Sequence, residues 1–267
     1  MPLSPGTHVV YTVRPGDTLY KIANQFGTSV QSVVQANALY PPITEPDLIS
    51  PGQVVLVQLP GMSRQSAVLY QVAPGDTLFR IAERYSVGVD MLAALNQMRD
   101  QDFLRVAQLL YIPAFVYEVE QGDYLYRISR RFGVPMDELV RANVRRPGLS
   151  PDLVYPGYRL VIPLPSSTNI LVLEPMPGMK IAGGQRLRGV ARAFEANVLF
   201  QIVDAEGGTV TRERAVTAAG GAPAFGAFET ELVFDNAPGA PIGTLMVYTR
   251  SAKDGSIQDL VEVPVSF

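Results

Sequence analysis

Apolar and polar positions alternate along the first part of the chain in an order of patterns that occurs three times. A short β-type run ends at Tyr11-Thr-Val13, at Tyr70-Gln-Val72 and at Tyr117-Glu-Val119. A polar turn follows each run: Pro15-Gly16-Asp17, Pro74-Gly75-Asp76 and Gln121-Gly122-Asp123. Beyond the turn, Leu19, Ile22, Ala23 and Phe26 are matched by Leu78, Ile81, Ala82 and Tyr85, and by Leu125, Ile128, Ser129 and Phe132. Those intervals mark one face of a helix. A second helical set follows at Val30, Val33 and Val34, at Val89 and Leu92, and at Met136, Leu139 and Val140. Each copy closes on another β-type run, Val54–Leu59, Leu109–Ile112 or Arg159–Ile162. The predicted unit is strand, helix, helix, strand, about 45 residues long and used three times.

Local chemistry refines the unit. Asp17, Asp76 and Asp123 stand where a carboxylate can cap the first helix, accepting orphan amides at the positive end of its dipole. Asn37, Asn96 and Asn143 stand at the end of the second helix, where a left-handed exit is expected. The stretch Leu59–Ser66 reads as a linker that leaves the first unit freer, whereas the short join Ile112–Phe115 holds the second and third in a fixed relation.

After Pro165–Thr168 the helical period disappears. Alternating runs occupy 170–174, 186–193, 198–203, 209–216, 228–234, 244–251 and 257–265, with turn signals at Pro177-Gly178, Glu206-Gly207-Gly208, Pro238-Gly239 and Asp254-Gly255. Seven short strands without a helix predict an antiparallel β-sandwich of immunoglobulin type.

The repeated opening, Tyr-x-Val-x-x-Gly-Asp, then Thr or Tyr, then Leu-aromatic-x-Ile, resembles the LysM domain family. So do the helix-ending Asn and the approaches Pro51-Gly52-Gln53 and Pro156-Gly157-Tyr158 to the last strand. The resemblance implies βααβ folds that bind N-acetylglucosamine-containing glycans, chiefly peptidoglycan and chitin. The last segment resembles the Gmad2 immunoglobulin-like domain of bacterial spore germination, through Gly189-Val-Ala-Arg-Ala-Phe-Glu195, Ala205-Glu-Gly-Gly208, Phe225-Gly-Ala-Phe228 and Ser251-Ala-Lys-Asp-Gly255. The expected chain is multidomain: three small α+β LysM domains at 8–60, 68–114 and 115–165, linkers at 61–67 and 166–169, and an all-β immunoglobulin-like sandwich at 170–267.

Composition narrows the chemistry. There is no cysteine, which removes thiolate catalysis and cysteine-based zinc sites. His8 is the sole histidine and is read as an ordinary residue at a frayed N-terminal strand entry. Glu195, Glu229 and Glu231 would be the acids of a two-carboxylate glycosidase, but a small sandwich offers that pair no evident cleft. No cofactor, metal site or enzymatic activity is expected. The net charge of −3 argues against a nucleic-acid partner. The arginines of the third unit, Arg127, Arg130, Arg131, Arg141, Arg145 and Arg146, are read as solvated helix faces. No apolar run is long enough to span a membrane, and the first residues lack a basic region followed by an apolar one. The LysM resemblance implies an extracellular or cell-wall location.

A site for an acetamido sugar needs backbone donors and acceptors at the rim of a shallow groove, with small apolar contacts. The loop entering the first helix supplies these, and the resemblance implies that the loop before the last strand forms the opposite wall. In the first unit Gly16, Asp17, Thr18, Leu19 and Tyr20 face Leu48, Ile49, Ser50 and Pro51. In the second, Gly75, Asp76, Thr77, Leu78 and Phe79 face an altered wall, Asp102–Ala107. In the third, Gly122, Asp123, Tyr124, Leu125 and Tyr126 face Leu153, Val154 and Tyr155. The leucines and Tyr11, Tyr70 and Tyr117 are expected chiefly as packing residues. The function implied is non-catalytic, multivalent glycan binding at the bacterial envelope, with a protein partner for the last domain. The alternatives are a wall or spore-cortex hydrolase or its accessory subunit, and a protein scaffold in which the repeats are spacers.

Overall fold

A computed structural model describes residues 3–44, 48–61, 66–150 and 153–267. The expected linker at 61–67 lies largely outside the described residues. The first repeat is β1 (Thr7–Thr12), α1 (Leu19–Gln25), α2 (Val30–Ala36) and β2 (Val54–Gln58). The second is β3 (Ala67–Gln71), α3 (Leu78–Arg84), α4 (Val89–Leu95) and β4 (Leu109–Ile112). The third is β5 (Ala114–Glu118), α5 (Leu125–Phe132), α6 (Met136–Ala142) and β6 (Arg159–Pro163).

Helices of seven or eight residues are marginal alone, so packing must hold them. In the first repeat Leu19, Ile22, Ala23, Val33 and Val34 close over Val9, Tyr11, Val55 and Val57 on one face of the β1–β2 hairpin. Tyr11 meets Phe26 edge to face at 5.6 Å, and Tyr70 meets Tyr85 in the same way at 6.2 Å.

The asparagines do not make the left-handed exit. Asn37, Asn96 and Asn143 have φ of −119°, −100° and −107°. Positive φ comes later, at Ala38, Gln97 and Arg145. The asparagine side chain instead bonds the last strand of its own repeat. Asn37 takes the amide of Leu56 on Oδ1 at 2.7 Å and donates Nδ2 to the Leu56 carbonyl at 2.7 Å and the Val33 carbonyl at 2.8 Å. Asn96 does the same with Tyr111 and Leu92, and Asn143 with Val161 and Leu139. A primary amide carries the donor and acceptor of a peptide group, so each asparagine continues the ladder beyond β2, β4 or β6 and ties it to a helix.

The repeats are not beads on a string. Strand β1 pairs in parallel with β3, giving a four-stranded sheet of order β2-β1-β3-β4. In that register Val10 lies opposite Tyr70, one residue out of step with the repeat, so Tyr11 and Tyr70 point to opposite faces. Leu69 accordingly packs against the first core while Tyr70 serves the second. The first repeat, expected to be the freer one, is therefore fixed to the second by strand pairing.

The third repeat is stitched to both. Arg84 donates to the carbonyls of Ala142 and Val144, and Arg141 reaches Ser86 Oγ at 3.1 Å. The amide of Val54 donates to the Arg145 carbonyl at 2.9 Å. Arg146, expected on a solvated face, is 5% exposed. Its guanidinium donates to the Ala36 carbonyl and Asn37 Oδ1 of the first repeat, both at 3.2 Å, and to the Arg159 carbonyl of its own, and lies 5.0 Å from the centre of the Tyr158 ring. Rich neutral acceptors and a ring face make its burial tolerable. His8, expected at a frayed entry, is fully buried inside β1. Burial, reinforced by Arg159, pushes its pKa down to about 4.

The C-terminal body spans chiefly Leu164–Phe267. All seven predicted strands form: β7 (Ile170–Glu174), β8 (Arg186–Ala191), β9 (Asn197–Asp204), β10 (Thr209–Thr217), β11 (Gly226–Glu231), β12 (Ile242–Arg250) and β13 (Ile257–Ser266). They make two antiparallel sheets, β10-β9-β12-β13 and β11-β8-β7. Val172, Leu187, Phe200, Ile202, Leu245 and Val263 fill the space between them. Gly189 allows that packing, since a Cβ there would lie 2.3 Å from both the Leu171 carbonyl and the Phe228 ring. Asp204 organises the Ala205–Gly208 turn by accepting the amides of Glu206, Gly208 and Gly239. Those bonds, that of Gly239 foremost, hold its carboxyl below the usual carboxylate range.

Candidate functional site

The loop entering the first helix has the same construction in every repeat. Asp17, Asp76 and Asp123 donate their amides to the carbonyls of Arg14, Ala73 and Glu120, closing a turn whose third residue is Gly16, Gly75 or Gly122 at φ of +82°, +84° or +85°. That is a type II turn, and it needs glycine there. The aspartate is not the helix cap. Asp17 accepts the amide of Arg14 and the hydroxyl of Tyr11, both at 2.7 Å, and Asp76 and Asp123 repeat this with Ala73 and Tyr70 and with Glu120 and Tyr117. It locks the turn to the strand. Burial first, and the bond to Asp17 second, raise the Tyr11 hydroxyl to about 12. The cap is the next residue: Thr18 accepts from the amide of Lys21, and Thr77 from that of Arg80, each at 3.2 Å. With the Lys21 amide taken by the cap, those of Leu19 and Tyr20 are among the helix-start amides that have no intrahelical acceptor.

The opposite wall lies beside this loop because the hairpin brings it there. Thr12 pairs with Val54, Gln71 with Leu109 and Glu118 with Arg159, so both loops leave from one end of each hairpin. Across that end Gly52 donates to Val13, Ala107 to Val72 and Gly157 to Val119, each at 2.8 Å. The second repeat was expected to have an altered wall, yet its backbone turn is the same. Ala107 adopts φ +69° where Gly52 and Gly157 have +86° and +84°. Gln108 accepts the Arg105 amide just as Gln53 accepts that of Ser50. The shared glutamine is the sequence signal for this equivalence. What the second wall adds is Phe103, 58% exposed, with the Arg105 guanidinium over its ring.

The named site residues separate by exposure. Tyr20, Phe79 and Tyr126 are each 60% exposed or more, and Tyr124, Leu48 and Leu153 are also open to solvent. Gly16, Thr18, Ser50, Pro51, Gly75, Thr77 and Gly122 are exposed, while Asp17, Ile49, Asp76, Asp123 and Tyr155 are half-buried. The side chains of Leu19, Leu78, Leu125 and Val154 are in the core, so only their backbone can meet a ligand. Among the described residues no group of three or more His, Asp or Glu side chains is placed to hold a metal ion.

Three linked βααβ units, each exposing a backbone-rimmed loop pair and an aromatic ring, followed by a β-sandwich, define a repeat protein built for surface recognition. The chain belongs to the LysM domain family, matched at residues 11–58, 70–113 and 117–163, and residues 169–256 match the immunoglobulin-like domain of bacterial spore germination. It is similar to the secreted LysM effector ECP6 of Passalora fulva, 32% identical over 110 residues that cover 41% of this chain and 47% of that protein. It is also similar to the probable autolysin SsaALP of Staphylococcus aureus, 37% identical over 111 residues covering 39% of this chain and 40% of that one. Among solved structures, the Bacillus cereus spore cortex-lytic enzyme SleL matches 40% of this chain and 22% of its own, at 34% identity and a TM-score of 0.29. The chain thus spans less than half the length of these relatives.

Proposed function

We propose that this protein is a non-catalytic, multivalent reader of N-acetylglucosamine-containing glycan, of the peptidoglycan or chitin type, acting at the bacterial cell envelope. The observation that carries this reading is the threefold recurrence of one construction: a glycine turn locked by its aspartate, opening directly into a helix start with an exposed ring at Tyr20, Phe79 or Tyr126. The amides of that helix start suit an acetamido oxygen and the ring suits the apolar face of a sugar. Parallel pairing of β1 with β3 sends the loops of the first two repeats out of the same end of one sheet, which favours simultaneous engagement of one polymer. Avidity of about 10² to 10⁴ over a single site is then available. Within this reading the domain boundaries stay at 8–60, 68–114, 115–165 and 170–267, and the sandwich recruits a protein partner.

The test is calorimetric titration of the full chain with N-acetylglucosamine oligomers of increasing length, repeated with Tyr20→Ala, Phe79→Ala and Tyr126→Ala. Tightening with length, and stepwise loss as the rings are removed, supports the proposal. Absence of heat at every length would make the repeats structural spacers. A second reading, an accessory subunit of a wall hydrolase, draws on the similarity to an autolysin, and enhanced wall cleavage on adding this chain to such an enzyme would distinguish it.

A further inference from the structure

We propose that the C-terminal sandwich carries its own saccharide-binding cleft, separate from the repeats, at the end where β8 passes to β9 and β12 turns into β13. The cleft has a volume of about 370 Å³ and is lined by Phe194, Asn169, Asn197, Gln258 and Asp259, among others. That lies within the usual range of small-ligand sites of about 300–1,000 Å³, at the small end.

Phe194 is the first observation. It is 72% exposed, the most exposed large apolar side chain among the described residues. It sits on a single 3-10 turn, Phe194–Ala196, whose next two residues, Glu195 and Ala196, both have left-handed backbone at φ 53° and 57°. Such conformations persist in non-glycine residues only where the surroundings impose them. Here the amide of Ala218 donates to the Ala196 carbonyl at 2.8 Å and that of Ala222 to Ala193 at 2.9 Å. Gly221 lies against the same backbone, where a Cβ would come within 3.1 Å of the Ala196 nitrogen. The ring is therefore held out toward solvent by a rigid support.

The polar lining is ordered too. Asn169 donates Nδ2 to both carboxylate oxygens of Asp259, at 3.1 and 3.0 Å, and accepts Arg192 Nε at 2.9 Å. Asp259 itself has left-handed backbone. Planar amides and carboxylates fixed in this way match vicinal hydroxyl groups, which need a donor and an acceptor a short distance apart. An aromatic face beside them matches the apolar face of a pyranose ring. Charge decides against an ionic ligand: within the lining the two acids Glu195 and Asp259 offset the two arginines Arg192 and Arg250. A neutral, hydroxyl-rich molecule of one or two rings satisfies size, shape and charge together. The proposal stands whether or not the repeats bind glycan.

Chemical-shift mapping of the full, isotope-labelled chain tests it, with chitobiose, cellobiose and a muramyl disaccharide as probes at millimolar concentration. Resonances of Asn169, Asn197 and Gln258 are expected to move with one of these, saturating independently of the Gly16–Tyr20 loop. Phe194→Ala should weaken that response about tenfold, leave the repeat loops unaffected, and be rescued by Phe194→Tyr. Silence at the cleft with all three sugars overturns the proposal, as does a response that Phe194→Ala leaves intact. Movement only on adding a peptide also overturns it and makes the cleft a protein-docking site.

Discussion

The side-chain oxygen of Asn37 accepts a hydrogen bond from Arg146 at 3.2 Å although the two residues are 109 positions apart, and the same oxygen takes the Leu56 amide at 2.7 Å. Two repeats thus share one acceptor. Replacing Arg146 by Met leaves buried acceptors of the first and third repeats unmet, and the expected destabilisation is about 2–4 kcal/mol. Hydrogen exchange at the Leu56 and Val161 amides reads it locally. Unchanged protection at both would show that Arg146 is not the clamp between repeats.

Ala107 holds a conformation that the other two repeats give to glycine. The left-handed backbone costs a non-glycine residue roughly 1–2 kcal/mol, and glycine's freedom in the unfolded chain returns about half of that. Ala107→Gly should therefore stabilise the second repeat by about 0.5 kcal/mol, and Gly52→Ala should destabilise the first. Urea unfolding midpoints of the pair moving in the same direction would contradict the assignment.

Tyr124 stands where Thr18 and Thr77 cap their helices, and a phenol is too long to reach the amides of its own first turn. Tyr124→Thr should stabilise α5 by about 1 kcal/mol, while Thr18→Ala and Thr77→Ala each lose a similar amount. Thermal unfolding of the three variants checks the signs. If glycan contact is what Tyr124 supplies, the gain in stability will come with weaker binding by the third repeat.

His8 gives the repeats a pH dependence of known sign. Its folded pKa of about 4 lies below the ordinary value of 6.5, so the unfolded chain binds the extra proton between them. Stability from this group is complete above pH 6.5 and is lost as the pH falls toward 4, by roughly 3 kcal/mol at most. His8→Gln should flatten the curve over that window. An unaltered pH profile of unfolding in the variant would place the titration elsewhere.

How much of this was legible beforehand follows from the range of the interactions involved. The periods of Leu19, Ile22, Ala23 and Phe26 and the alternating runs after Thr168 report which face each element buries, and that is a local property. The glycine turn and the exposed ring after each buried leucine were readable for the same reason. The roles of Asp17 and Thr18 were exchanged, because whether a carboxylate turns toward the helix or back to the tyrosine depends on where the strand places Tyr11. Composition could not show that Asn37 would face a strand edge.

The sequence by itself determined three βααβ units, a seven-stranded sandwich and the loops that present a surface. Tertiary structure decided how the repeats join: a parallel register one residue out of step, a buried Arg146 and a buried His8. It also decided that Phe194 stands exposed over a polar cleft. Local periodicity records burial within a unit, whereas pairing between units depends on contacts between residues far apart in the chain, which no local pattern encodes.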